Sequence, residues 1–584
     1  VRSLSVDELE TALTIDLPLS DGWNIDECRR LTGPGLLWKR KGAIIDIFDA
    51  GTGFDHQAFI TAWDSHARRV LNAVGWSGEH ITSRVFGEGV NLAISAPSDV
   101  LYSAIFVAET ACHFAAHDVL GSTPNDFDAM IADLKRIIAV EANPPLIALE
   151  QAAKERKIDF LCDDDEVSIG HCGGSKVWPV DQIPAPGDID FEASYNIPVA
   201  MITGTNGKST SVRISAAIAE AAGKIAGTTS TDYVKIGDDI LDQGDYSGPG
   251  GARMLLRDRR PEIAFLETAR GGILRRGLPL YQAQAAIVTN IAPDHLGQYG
   301  VNTVEALAEA KFAVARTLAS DGTLVLNADD PLVVANGLAF ERTKCWFSLD
   351  PNNAQIVGAK QDGSACCWLD GDMICYFDGL QERQVISASA VPITMGGAAR
   401  FNIRNIMGAI CLTTAMGIKD DAIRSGLMAF RSEPDQNPGR CNEFDYRGAK
   451  VYVDYAHNEH SVTAVCEALG NLPAKKRYVM ISHSGDRSDS DIHNSVIATL
   501  AFMPDVVVAA DLEAYLRGRH LGEVPALIKN ACIAAGMAEG DIWLKTSPQD
   551  GARAVLDAVS DGDLALLIVL SDRDAVFEML REEN

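Results

Sequence analysis

Residues 199–223 read VAMITGTNGKSTSVRISAAIAEAAG. A short apolar run meets a glycine-bracketed turn, and Lys208-Ser209-Thr210 open an alanine-rich stretch of helical periodicity. A buried strand feeding a helix through such a turn has few solutions: the strand lies inside a sheet and the helix packs back across it. Glycines let the backbone approach a ligand closely, and the N–H groups at the helix start then face an anion. Gly204, Thr205, Asn206 and Gly207 form that turn. Lys208 is placed to reach β- and γ-phosphates, and Ser209 or Thr210 offers a hydroxyl to Mg2+. Ile202 stands where the strict GxxxxGK[ST] pattern has its first glycine, yet TGTNGKST between a strand and a helix still predicts a phosphate cradle.

The alternation continues. VAMITG, EIAFLE, AAIVTN and GTLVLN read as strands separated by helical stretches such as 304–319, which predicts a central α/β domain with a parallel sheet over 199–431. Within it, ACCWLDGDMICYFDG reads as a hairpin around Asp370-Gly371, and helices return over 402–430. Residues 432–584 alternate again through KVYVDYA, RYVMISH, DVVVAA and LALLIVL, a second, Rossmann-like doubly wound unit. Residues 1–160 read as an α+β domain with strands GAIIDIFDA and VNLAISAP and a helix over 98–120 capped by Ser98. Glu109 and His113 lie one turn apart there, and an ordinary helix pair is preferred to a metal or acid–base role. Residues 161–198 carry Gly-Gly and prolines and read as a hairpin-like linker, with the acidic run 163–166 as a solvated turn.

The chain has 584 residues, and 51 basic against 80 acidic side chains give a formal charge of −29. Such a balance argues against nucleic acid or an anionic membrane as the main partner, while leaving room for a local basic pocket. Twelve scattered cysteines form no CxxC pair, so neither a disulfide framework nor a zinc ribbon is indicated. No signal-peptide pattern opens the sequence, and no apolar run nears the roughly 18 residues of a membrane span. A reducing, cytoplasmic setting is expected.

Further motifs follow the turn in a fixed order: FLETARGGILRRG (265–277), VTNIAPDHLGQYG (288–300), EALAEAKFAVA (305–315), LNADDP (326–331), GGAARFNIRNIMGA (396–409), NPGRCNEF and VYVDYAHNEHS. This series resembles the Mur ligase family, ATP-dependent enzymes that join an amine to a carboxylate. Within that family SGPGGARMLLRD, GGAARFN, SGDRSDSDI and LRGRHLGE resemble the Mur-ligase half of cyanophycin synthetases. Those enzymes also carry an ATP-grasp module; GPGLLWKRKGAIIDIF (33–48) resembles their N-terminal domain and ERKIDFLCDDDEVSIGHCGG a piece inside or beside the ATP-grasp region, and the interval between these two segments is too short for that module.

The resemblance implies an ADP-forming ligase that uses ATP and two Mg2+ ions. It implies that Lys208 neutralises phosphate, and that Ser209, Glu267 and Thr229 or Thr231 bind one Mg2+. His295 would help bind the second, and Lys311 matches a lysine that many members carbamylate. Asn402 and Asn405 match the adenine contacts, although Phe401 replaces the histidine common before the first. Arg440 matches the γ-phosphate contact from the last domain and Asp454 the ribose contact, with His457 and Asn458 beside it. Asp486 and Arg487 follow a strand and a glycine, where the last domain receives the incoming amine; these two, with Arg517 and Arg519, are either surface charges or substrate contacts. Because these residues come from both α/β domains, closure about a hinge near 430–436 is expected. The substrates implied are a small-molecule or short-peptide carboxylate and an amino compound; a homo-oligomer is compatible. Two other readings stay open: a different specificity, such as a γ-glutamyl or small-molecule amide, and a non-catalytic nucleotide-binding scaffold. A GTPase switch is disfavoured because no NKxD-like motif is present.

Overall fold

The computed structural model describes residues 5–18, 23–49, 55–87, 89–294 and 296–582. It divides into two compact units: Val1–Phe347 with Ala354–Cys366 and Ile410–Lys419, and Ser348–Asn353 with Cys367–Ala409 and Asp420–Asn584.

The first unit opens with antiparallel strands β1 (Trp23–Leu31), β2 (Gly42–Asp49), β3 (Ile81–Phe86) and β4 (Gly89–Ser95), ordered β1-β2-β4-β3. Side chains alternate across such a sheet. Ile45, Ile47, Leu92 and Ile94 share a core with Phe59 and Trp63 of helix His56–Ala73 and Phe106 of helix Leu101–Leu120. The intervening Asp46 and Asn91 are equally buried but polar. Ser98 does not cap the long helix. The cap position is Val100, without a side-chain hydrogen bond, and Glu141 accepts from Tyr102 N at 2.9 Å and Ser103 N at 2.7 Å instead. A carboxylate remote in sequence thus meets the positive helix end. Glu109 and His113 form no joint site, since His113 is tied to Asp16 O and to Asn125 N.

Residues 160–179 form a three-stranded antiparallel sheet, one strand more than a hairpin: β5 (Phe160–Cys162), β6 (Glu166–Ile169) and β7 (Lys176–Pro179). Its core is shared with Leu146, Leu149 and Ala153 of helix Pro144–Glu155. The acidic run is not simply solvated, because Asp163 takes Arg257 at 2.6 Å and Arg253 at 3.4 Å.

The large sheet of this unit contains β8 (Val199–Thr203), β9 (Ala226–Thr229), β10 (Tyr233–Ile236), β11 (Asp239–Gln243), β12 (Ile263–Glu267), β13 (Ala283–Val288), β14 (Leu318–Asn327) and β15 (Thr343–Ser348). The order is β11-β10-β9-β12-β8-β13-β14-β15, parallel from β9 to β15. Parallel pairing brings the C-terminal ends of β8, β9, β12 and β13 to one edge, where open α/β sheets bind ligands. The helix expected over 304–319 stops at Lys311. A 3-10 turn, Phe312–Arg316, follows, and β14 begins at Leu318.

In the second unit, β16 (Cys366–Asp370), β17 (Met373–Phe377) and β18 (Glu382–Ser387) run in sequence order, with the first turn at Gly371 and Asp372. The C-terminal sheet holds β19 (Asn442–Tyr446), β20 (Ala449–Asp454), β21 (Arg477–Ile481), β22 (Val506–Ala510), β23 (Ile542–Lys545) and β24 (Leu564–Ile568). Its order is β19-β20-β24-β21-β22-β23, parallel except for the edge strand β19. Val479 and Ile481 belong to one core and Tyr478 and Met480 to another, so the sheet is covered on both faces. Among the described residues no helix is long and apolar enough to cross a membrane.

Candidate active site

The turn after β8 is built as a cradle. Gly204 has φ +145°, and a Cβ there would lie 1.9 Å from Thr289 Oγ1. Gly207, at φ +83°, caps helix Lys208–Ala221 with no side-chain hydrogen bond. The first N–H groups of that helix therefore have no intrahelical partner and suit an anion. The segment after β13 staples the turn in place. Thr205 N donates to Asn290 O at 2.8 Å, and the Asn290 amide takes both sides of Asn206, accepting from its N and donating to its O at 2.9 Å each. Thr289 Oγ1 donates to Asn206 O at 2.7 Å, and Thr205 Oγ1 to Ala292 O at 3.0 Å. Thr289 and Asn290 were not singled out from sequence, although they stand at the end of the AAIVTN strand.

Charge gathers around this cradle. Lys208 Nζ donates to Thr205 O and Lys311 Nζ to Gly204 O, both at 2.8 Å. Lys311 is 4% exposed; burial first, and then the like charge of Lys208, hold its ammonium well below the usual lysine range. Arg270 and Lys208 oppose its charge, whereas Asp294 and Glu267 favour it, so five ionisable groups share one neighbourhood. With Lys311 protonated the group would hold three cations against two carboxylates, a balance that, with burial, favours the neutral amine of Lys311. Arg270, another residue not foreseen, keeps Nη1 buried without a partner while Nη2 donates to Gln298 Oε1 at 2.7 Å.

Glu267 ends β12 beside β8, is 2% exposed, and has neither carboxylate oxygen hydrogen-bonded. Thr229 Oγ1 at the end of β9 is likewise buried without a partner, and Ser209 Oγ lies 3.5 Å from Thr231 Oγ1. One carboxylate with several hydroxyls is a hard-oxygen set. Mg2+ fits such a set because it takes one or two carboxylates and fills its sphere with water and phosphate oxygens. His295 lies outside the described residues. Ser209 and Thr210 occupy the first turn of the helix and are buried.

The second unit gathers another group. Arg440 lies over the Tyr455 ring at 5.1 Å, and the Tyr455 and His457 rings are 5.4 Å apart. Asp454 accepts from Cys441 N at 2.8 Å and Ala456 N at 2.7 Å; burial raises its carboxyl pKa and Arg440 opposes the rise. Asn402 Nδ2 donates to Ile393 O at 2.8 Å, and Asn405 Nδ2 to Asn402 Oδ1 at 3.2 Å. Asn458 caps helix Glu459–Gly470. Asp486 pairs with Arg517 and accepts from Ser484 Oγ. Arg519 is committed to holding its loop, donating to Gly485 O, Arg487 O, Asp489 and Glu523 at 2.7–2.9 Å. His483, unforeseen, is buried with Nε2 unpartnered; burial, then Arg487 and His457, lower its pKa to about 3.

Residues 202–413 match the Mur ligase middle domain, and residues 439–568 match the Mur ligase, glutamate ligase domain. This chain belongs to the Mur ligase family. Among curated relatives of this Mur ligase, cyanophycin synthetase of Crocosphaera subtropica is 38% identical over 381 residues, covering 64% of this chain and 43% of that protein. Cyanophycin synthetase of Trichormus variabilis is 36% identical over 337 residues, covering 58% of this chain and 37% of that protein. The match thus spans less than half the length of these relatives. E.coli FolC in complex with ADP shares the Mur ligase fold at TM-score 0.50 and 18% identity, over 66% of this chain and 89% of that one.

Proposed function

We propose that this protein is an ATP- and Mg2+-dependent amide ligase. It phosphorylates an acidic amino-acid or peptide carboxylate and couples it to an amino acid or amine. The observation that carries the reading is the unpaired carboxylate of Glu267 beside a cation-rich glycine cradle. A buried charge without a hydrogen bond is costly unless a ligand completes it. A metal ion would answer Glu267, and nucleotide phosphates would answer Lys208 and Arg270. A bifunctional folylpolyglutamate synthase/dihydrofolate synthase solved with Mn, AMPPNP and L-glutamate bound has the same fold at TM-score 0.50 and 18% identity.

In the first step a carboxylate oxygen of the acid bonds to the γ-phosphorus of ATP and the bond to ADP breaks. In the second the amine nitrogen bonds to the acyl carbon, phosphate leaves, and the nitrogen gives up a proton. Phosphoryl transfer depends mainly on positioning and charge neutralisation. Lys208 and the helix N–H groups hold the transferring phosphoryl, while Arg270 balances its charge. Two Mg2+ ions would supply further neutralisation, one held by Ser209, Glu267 and a Thr229 or Thr231 hydroxyl, the other with the help of His295. In the second unit Asn402 and Asn405 take adenine, Asp454 and His457 the ribose, and Arg440 the γ-phosphate; Asp486 and Arg487 receive the amine. An arginine or lysine donor is preferred by analogy with the cyanophycin synthetases.

Lys311 also suits carbamylation. Burial favours its neutral amine, the form that adds CO2 with loss of one proton, and the product is an anion in a site rich in cations. Supplying labelled bicarbonate and trapping carbamates chemically should mark Lys311; label absent from it under conditions of full activity would exclude the modification. The ligase assignment itself is tested by ADP release across pairs of acids and amines.

A further inference from the structure

Four polar side chains line up across the N-terminal sheet, on the face opposite its helices. Register sets Arg84 against Asn91 and Asn91 against Asp46, and Asp46 pairs with Arg29 of β1. Asn91 Nδ2 donates to Asp46 Oδ1 at 2.7 Å, and Arg84 Nη1 donates to Asn91 Oδ1 at 3.3 Å. Arg29, Asp46 and Asn91 are 2%, 0% and 1% exposed. Apolar residues of similar volume usually serve such positions at least as well for stability. What the row holds is therefore informative.

Both ends of the row leave the domain. Arg84 donates to Gly300 O at 3.0 Å and to Glu309 Oε2 at 3.2 and 3.3 Å. Arg29 Nε donates to Leu274 O at 3.1 Å, and its guanidinium lies 4.7 Å from the Tyr299 ring centroid. Each element so gripped carries or adjoins a charged group of the nucleotide site. Leu274 lies on helix Arg270–Arg275, Tyr299 and Gly300 lie just downstream of Asp294, and Glu309 lies on helix Val304–Lys311. The fit is close: Gly300 has φ +69°, and a Cβ there would come within 2.6 Å of the Phe86 ring.

We infer that Arg84 is a positioning residue: through Gly300 O and Glu309 it fixes the segment after Asp294 and the helix that carries Lys311. The row behind it ties both to the helix of Arg270. The N-terminal sheet is then a supporting wall of the nucleotide site. This rests on the proposed nucleotide reading only for what the support serves, not for the contacts themselves.

Hydrogen–deuterium exchange on the full chain tests it, comparing wild type with Arg84→Met, Arg84→Lys and Glu309→Gln, together with AMPPNP binding in the presence of Mg2+. Glu309 is 55% exposed, so its variant keeps the fold even if Arg84→Met does not. Peptides across 296–311 should exchange about tenfold faster in Arg84→Met and Glu309→Gln, while β1, β2 and helix His56–Ala73 keep their protection. Arg84→Lys should recover part of the loss, and AMPPNP affinity should fall about threefold or more where exchange rises. Unchanged exchange over 296–311 in the folded variants would overturn the inference, as would protection lost evenly across the N-terminal sheet. Faster local exchange with AMPPNP affinity intact would uphold the positioning and count against the nucleotide reading.

Discussion

Glu267 is a buried carboxylate that no donor reaches, and the lowered pKa of neighbouring Lys311 weakens any compensation from that side. Without ligands this costs stability, so Glu267→Gln should raise the melting temperature by the equivalent of about 1–2 kcal/mol while abolishing ligation. A lower melting temperature without ligands would mean that Glu267 serves the fold. Lys311 gives a prediction with a defined sign. Folded, it binds fewer protons than unfolded between its lowered pKa and the ordinary 10.5, so its contribution to stability rises with pH across that window. Lys311→Met should therefore show its largest stability gain, relative to wild type, below the lowered pKa, and the gain should fade toward pH 10.5. A difference independent of pH would show that Lys311 titrates normally. Lys208, Glu267 and Lys311 were legible in the sequence because each stands in a motif around the turn. Arg270 and His483 were not, because what marks them is burial without a partner, which no local spacing encodes.

The cradle is only as rigid as the staple beneath it. Asn290→Ala removes two hydrogen bonds to Asn206, worth about 2 kcal/mol together, and should weaken ADP binding by about tenfold or more with the fold retained. Unaltered affinity would show that the turn holds its shape alone. Strand–turn–helix units with a strong period were readable, which is why β8, β12, β13, β20, β21, β22 and β24 were anticipated. The short strands β9 to β11, antiparallel to one another, were not, since β11 is exposed throughout and carries no alternation. The cap of helix Leu101–Leu120 misled for another reason: Ser98 has the right chemistry for a cap, but Glu141 arrives from a different helix. The polar row Arg29–Asp46–Asn91–Arg84 exists only through strand register, which sequence alone did not reveal.

In a chain of formal charge −29, Lys208, Lys311 and Arg270 gather near Asp294 and Glu267. Such a local concentration of basic groups in an acidic chain is what the proposed phosphate site calls for. The succession of an α+β region and two doubly wound regions followed from hydrophobic periodicity, whereas the partition into two compact units, with 367–409 grouped with the C-terminal sheet, depends on long-range packing. The most direct test is ADP release by the purified chain over paired acids and amines, with product mass. A matched pair should yield ADP, phosphate and a new C–N bond in equal amounts, and Lys208→Ala should cut the rate at least about a hundredfold. ATP breakdown that never yields an amide across a broad panel, or ligation undiminished in Lys208→Ala, would contradict the account.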